Sequence, residues 1–240
     1  MTTEPTAQSL GFFRTQEHAC PYLADEQATN VLADPAWPMD TAAYAVLLAN
    51  GFRRSGDHVY RPGCARCTRC IPVRIPVATF RPSRSQRRSL KLNADVECRV
   101  VKPSATDAYL ALYKRYLDAR HVGSDMASAD KPQFLSFLGS SWCETVFVEM
   151  WVEGQLVGVA VTDQAGDALS AVYTFFDPLH ARRAFGTLAI LLQLRLASEH
   201  RFKWLYLGYA ILSRQNMAYK TAFRPQQHFI DGVWREPRAP

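Results

Sequence analysis

The densest chemistry in the chain is a run of thiols. Within Pro62-Gly63-Cys64-Ala65-Arg66-Cys67-Thr68-Arg69-Cys70, two-residue spacers let successive sulfurs converge on one soft metal or cluster, and Cys20 from the N-terminal arm is available as a fourth thiolate. A ferredoxin-like run would need its next cysteine where Val73 stands, so zinc, an iron–sulfur centre and a set of packed thiols all stay open. Cys98 and Cys143 are isolated and read as core thiols.

Three further constellations bear charge or aromatic faces. Arg81-Pro-Ser-Arg-Ser-Gln-Arg-Arg-Ser-Leu-Lys91 carries five cationic side chains and suits phosphate oxygens better than base edges, with Arg84, Arg87 and Arg88 at its centre. A solvated basic loop is the plainer alternative. Arg183-Ala-Phe-Gly186-Thr-Leu188 opens a helix just after a strand, where free N–H groups and the helix dipole can hold an anion. Tyr206-Leu-Gly-Tyr209 followed by Met217-Ala-Tyr219-Lys220 gathers phenols, a glycine and a cation. There Tyr206 could stack on a terminal RNA base, Gly208 permits close backbone approach, and Lys220 could meet a phosphate.

The composition agrees with a polyanionic partner. The chain has 240 residues, 28 Lys and Arg against 22 Asp and Glu, and a net charge of +6. Residues 51 to 102 hold 13 basic and 3 acidic residues, whereas the remainder is net acidic. With 48% hydrophobic residues the chain can bury a sizeable core, which excludes a disordered or collagen-like protein. No apolar run approaches the roughly 18 residues a membrane span needs, and the start MTTEPTAQSL lacks a basic and then apolar leader. A cytoplasmic protein without membrane association is the expectation, and the cysteines then read as ligands rather than disulfides. Oligomeric state is not legible.

Elements must position these groups, and their texture changes near residue 103. Proline punctuates residues 1–102, leaving Thr41 to Asn50 as a short helix capped by Asp40 and ended by Gly51. Val73 to Phe80 alternates like a strand. Residues 103–240 open on a helix start at Ser104 and Asp107, running through about Ala119 with Leu110, Tyr113 and Leu117 on one face. Three strands follow at Thr145 to Val152, Leu156 to Thr162 and Ala168 to Phe176, forming an antiparallel meander. Then come a helix Arg182 to His200, a strand Trp204 to Ile211, a helix Asn216 to Phe223 and a strand Gln227 to Trp234. The order helix, helix, three strands, helix, strand, helix, strand resembles the GCN5-related N-acetyltransferase topology. The fold class expected is α+β: a small cysteine-containing N-terminal domain, 1–102, and an acetyltransferase-like C-terminal domain, 103–240, with a mixed, largely antiparallel sheet.

Taken together, several stretches look like one family. They are Glu17-His-Ala-Cys-Pro-Tyr-Leu23, Gly51-Phe-Arg-Arg-Ser-Gly56, Tyr60-Arg-Pro62, the three cysteines with Ile71-Pro-Val-Arg-Ile75, Phe80-Arg-Pro-Ser-Arg-Ser-Gln-Arg-Arg88, Ser170-Ala-Val-Tyr-Thr-Phe-Phe-Asp-Pro178, Tyr206-Leu-Gly-Tyr209 and Met217-Ala-Tyr-Lys220. The chain resembles the aminoacyl-tRNA protein transferases, and within them the short bacterial aspartate/glutamate leucyltransferases. The resemblance implies transfer of leucine from leucyl-tRNA to an N-terminal Asp or Glu of a protein, marking it for N-end rule degradation. The tRNA contacts expected from the basic, helix-start and tyrosine segments are then Arg84, Arg87, Arg88, Arg182, Arg183, Gly186, Thr187, Tyr206 and Gly208, and the resemblance implies that His18, Arg61 and Arg84 meet the acceptor carboxylate. Ala210, Arg214, Asn216 and Phe185 depart from the family pattern.

Chemically this is aminolysis of an ester by an amine of pKa near 7.7 to 8.0, so orientation and oxyanion donors carry most of the acceleration. Tyr209, Tyr219 and Lys220 are the catalytic candidates, and no pattern marks a general base. No cofactor is required. An arginyl donor, a coenzyme A-dependent acetyltransferase and a non-enzymatic RNA-binding module are the competing expectations.

Overall fold

A computed structural model describes residues 9–120 and 129–237. The N-terminal ten residues that bear on the expected localisation fall largely outside this range. Early elements are β1 (Phe12–Arg14), β2 (His18–Ala19), β3 (Gln27–Ala28), β4 (Asn30–Ala33), α1 (Thr41–Ala49), β5 (Arg53–Ser55), β6 (His58–Pro62) and β7 (Ile71–Pro76). The Asp40 carboxylate accepts from the N–H of Ala43 at 2.7 Å and starts α1, and Gly51, at φ +80°, turns the chain out of it. Val73 and Ile75 face the core as the alternation requires. The strand ends at Pro76, and Val77–Thr79 is a single 3-10 turn.

Next come α2 (Arg84–Leu92), β8 (Glu97–Val101), α3 (Asp107–Arg120) and α4 (Lys131–Leu138). The basic stretch is thus a helix and not a loop. Ser83 and Gln86 cap it reciprocally, which offsets the unsatisfied donors of the helix N-terminus. For α3 the capping side chain is Thr106, whose hydroxyl accepts from the N–H of Tyr109, two residues beyond the expected Ser104.

The remaining elements are β9 (Glu144–Val152), β10 (Gln155–Ala165), β11 (Ala168–Phe176), α5 (Phe185–Glu199), β12 (Trp204–Ala210), α6 (Gln215–Ala218), β13 (Gln227–Ile230) and β14 (Val233–Arg235). An eight-stranded sheet runs β14-β13-β7-β12-β11-β10-β9-β8, beside a four-stranded sheet β1-β4-β6-β5. The large sheet is mixed, parallel at β11–β12 and antiparallel at its other pairs. It draws β7 and β8 from before residue 103.

Alternation in β9 and β10 dresses both faces. Phe147, Val159 and Val161 pack on α3 and α4 through Tyr113, Leu117 and Phe134, while Val148, Met150 and Ala160 pack on α5 through Phe185, Leu188 and Leu192. Burial of each such side chain contributes about 1.5–3 kcal/mol, so α5, apolar on several sides, is held chiefly by packing. A third cluster joins Tyr44 and Leu48 of α1, Phe52 and Val59 to Ala165, Ala168 and Tyr206, seating the small sheet against the large one.

Candidate active site

Adjacent residues of a strand point to opposite faces, so the Arg53-Arg54 pair in β5 sends one cation each way. Arg54 is fully buried and donates through Nε and Nη2 to the two carboxylate oxygens of Asp163, each at 2.6 Å. It also donates to the carbonyls of Gly139 at 2.6 Å and Leu138 at 3.0 Å, and the Thr145 hydroxyl donates to Asp163 at 2.8 Å. This satisfied network fastens β5 to β10 and to the end of α4.

Arg53 points the other way. The parallel strands β11 and β12 pair only from Ala168–Trp204 to Ser170–Tyr206, and beyond that they diverge. The guanidinium fills the opening, donating from Nη2 to the carbonyls of Ala171 at 2.6 Å and Val172 at 2.9 Å. Its Nη1 passes directly over Gly208, which sits at φ +73°. The glycine is therefore required by Arg53, and the close approach expected there for RNA is made by a side chain of the protein itself.

Below Arg53 lies a cavity of about 240 Å³ lined by Tyr22, Arg53, Tyr60, Tyr173, Met217 and Lys220, among others. Lys220 is half-buried and its Nζ donates to the Tyr209 carbonyl at 2.9 Å. Burial, reinforced by the Arg53 charge, pushes its amine down to about 7. A lysine that is partly neutral near pH 7 can take up a proton, a role the sequence pattern does not mark.

The tyrosines divide sharply. Tyr209 is buried, and its hydroxyl donates toward the carbonyls of Gly51 at 3.1 Å and Tyr60 at 3.3 Å. A phenol has one proton, so this one serves the backbone and not an oxyanion, and burial raises its pKa strongly. Tyr206 is also buried: its hydroxyl accepts from Arg74 at 3.3 Å and its ring meets Trp234 edge-on at 5.5 Å. No face of Tyr206 is left for an RNA base. Tyr219 is 36% exposed, lies beside Gly186, and its phenol is pushed up to about 12 by burial.

At the start of α5, Ala184 adopts φ +52° and the Arg183 carbonyl accepts from Asn93 Nδ2 at 2.9 Å. The Arg183 side chain pairs with Asp95 and lies over the Phe185 ring, so its charge is already partnered. Arg182 is exposed, while Gly186 and Thr187 are half-buried at the helix mouth. Leu188 points into the core, so it does not crowd this helix end. Arg84, Arg87 and Arg88 are all exposed on α2, with Lys91 one turn on, making a basic helix face. Gln86 on the opposite side donates to the Ala222 carbonyl at 3.3 Å.

A second cavity of about 910 Å³ shares Tyr22, Ser55, Tyr60 and Tyr209 with the first. His18, Arg61, Cys20, Cys64, Cys67 and Cys70 line it. Arg84 does not, so the three expected acceptor contacts are not brought together. Cys70 is pushed up to about 11, mainly by burial and then by the nearness of Cys20, Cys64 and Cys67. Yet among the described residues no three His, Cys, Asp or Glu side chains stand close enough to hold a metal. The thiol segment has no regular structure to aim them, and Cys64 Sγ instead points to the Thr29 carbonyl at 3.7 Å. The expected zinc or iron–sulfur ligand set thus does not fit the thiols as they stand.

Sequence pattern alone does not mark Arg53, Arg54, Asp163, Tyr22 or Tyr60 as site residues. Two successive arginines in a strand beside an apolar helix are the available signal, because one at least has to point inward.

The family described as arginine-tRNA-protein transferase matches in two parts, its N terminus over residues 18–88 and its C terminus over residues 108–230. The chain belongs to that family. It is 47% identical over 225 residues, 94% of its length, to the aspartate/glutamate leucyltransferase of Pseudomonas fluorescens (strain SBW25), covering 96% of that protein. Identity and coverage are the same for the aspartate/glutamate leucyltransferase of Stutzerimonas stutzeri (strain A1501). A solved structure, PaiA N-acetyltransferase from Thermoplasma acidophilum with coenzyme A, aligns at 12% identity over 57% of this chain and 95% of that one, TM-score 0.38. Among the described residues no helix is long and apolar enough to cross a membrane.

Proposed function

We propose that this protein transfers leucine from leucyl-tRNA to the N-terminal α-amine of proteins that begin with Asp or Glu, marking them for degradation. The observation that carries this reading is 47% identity along nearly the whole length of both chains to proteins named for that activity. The site supports it chemically. A peptide N-terminus and its first side chain need room, and two adjoining cavities that share Tyr22, Ser55, Tyr60 and Tyr209 offer it.

In the reaction the acceptor amine attacks the ester carbonyl, and the ribose hydroxyl of the tRNA leaves. The attacking nitrogen must shed a proton, and Lys220, partly neutral near pH 7, can accept it while keeping its bond to the Tyr209 carbonyl. It can return that proton to the departing ribose oxygen. Tyr219, at the mouth of α5 beside Gly186, has no hydroxyl partner among the described residues and can donate to the oxyanion. The α2 face with Arg84, Arg87 and Arg88 is the surface for tRNA phosphates. Strand divergence at β11–β12, next to the N-terminus of α5, supports the acetyltransferase-like reading of residues 103–240. Arg53 lying in that divergence argues against a coenzyme A arm threading it.

Purified protein, tRNAs charged separately with leucine and arginine, and peptides beginning with Asp, Glu or Ala provide the test. Leucine should enter the Asp and Glu peptides. Transfer of arginine alone would reassign the donor, and equal transfer to Ala would refute the acidic acceptor.

A further inference from the structure

Arg53 and Arg54 are chemical neighbours with opposite accounts. Arg54 has a carboxylate partner and six donor contacts, and it is complete. Arg53 is only 9% exposed, yet among the described residues it makes no ion pair and donates only from Nη2, to two carbonyls. Burying a guanidinium against carbonyls alone is unfavourable unless an anion completes it. Among the described residues, the cavity it lines also holds Lys220 and has no Asp or Glu in its wall.

We infer that Arg53 is the specificity-determining residue that receives the side-chain carboxylate of the acceptor's first residue. This rests on the transferase reading above. The cavity, about 240 Å³, is walled by Tyr22, Tyr60, Leu138, Val172 and Tyr173. Such a space suits a short side chain with apolar methylenes and one terminal charge. A nucleotide phosphate is better served by the exposed α2 arginines. The larger cavity adjoins this one at Tyr22, Ser55, Tyr60 and Tyr209, so a peptide lying there has its first side chain directed past these residues toward Arg53. His18 and Arg61, exposed along that larger cavity, meet the following residues of the acceptor instead.

Two peptides identical except for Glu or Gln at the first position test the assignment, read as the ratio of kcat/KM for leucyl transfer. In Arg53→Met the Glu preference should fall by about 30-fold or more, since one partner of a buried charge pair is gone. Arg53→Lys, which keeps a point charge but not the planar fork, should retain part of it. Lys220→Met leaves Arg53 in place, so turnover should fall for both peptides with the ratio held within about twofold of wild type. Should Arg53→Met fail to fold, the Lys220→Met measurement still decides. A ratio unchanged in folded Arg53→Met, or collapsing in Lys220→Met or Arg61→Gln, overturns the assignment. If the wild-type protein moves leucine to neither peptide, the transferase reading falls and this inference with it. If it does so without preferring Glu, the acidic reader alone falls.

Discussion

A Cβ atom on Gly208 would lie 1.1 Å from Nη1 of Arg53, so this glycine and this arginine, far apart in sequence, occupy one space. The strand that carries Gly208 separates from β11 where the guanidinium enters. Backbone conformation adds to the demand, because φ at Gly208 is +73°.

Gly208→Ala should therefore destabilise by more than about 2 kcal/mol, adding displacement of a buried cation to a left-handed alanine. Gly154 provides the comparison, with φ +75° and nothing within 4 Å of the place a methyl group would take. Gly154→Ala should cost only about 1 kcal/mol. Urea unfolding of the two variants reads the difference, and equal losses would show that Arg53 moves aside freely.

The Arg54–Asp163 pair is fully buried, and Asp163→Asn removes the charge with almost no change of shape. The stranded guanidinium should cost about 3–5 kcal/mol. Asp118→Asn, which breaks an exposed pair with Lys114, should cost no more than about 0.5 kcal/mol. Chemical denaturation distinguishes these outcomes.

The transfer rate should rise with pH through about 7. Lys220 is held down to that value, so it is protonated and inactive as a base below it and neutral above it. The acceptor amine adds a second rise near 8. In Lys220→Met the single-turnover rate should fall about 100-fold and keep only the second rise. Persistence of the limb near 7 would exclude Lys220 as the proton acceptor.

Tyr209→Phe removes one neutral hydrogen bond to the Gly51 and Tyr60 carbonyls, so a stability loss of about 1 kcal/mol is expected, with turnover within about threefold of wild type. A hundredfold loss of turnover in a stable variant would return the hydroxyl to the transition state.

Replacing Arg84, Arg87 and Arg88 together by Gln should weaken tRNA binding and flatten its dependence on salt. If each meets a phosphate, the log–log slope falls by roughly 2–3 units. An unchanged slope would mean that α2 is merely solvated.

Local patterns carry much of the fold. Asp40 and Gly51 bracket α1 because capping and left-handed termination are properties of a few adjacent residues. The meander from β9 to β11 is legible for the same reason, since alternation and tight turns need no distant partner. The proline-rich Ile71–Pro76 does not disclose that it sits between β12 and β13, because register across a sheet is a long-range contact. Residue types around Tyr206, Tyr209 and Lys220 single out one strand and the turn after it. Which hydroxyl is committed inside and which is free depends on what lies opposite: Gly51 and Tyr60 close off Tyr209, Arg74 and Trp234 close off Tyr206, and Tyr219 keeps an exposed edge. Nor can the order of residues tell that Arg54 finds Asp163 while Arg53 finds only carbonyls. That difference is made by what the large sheet sets against each side chain, a carboxylate on β10 for Arg54 and only backbone carbonyls on β11 for Arg53, and it turns one of two identical side chains into scaffold and leaves the other open to a ligand.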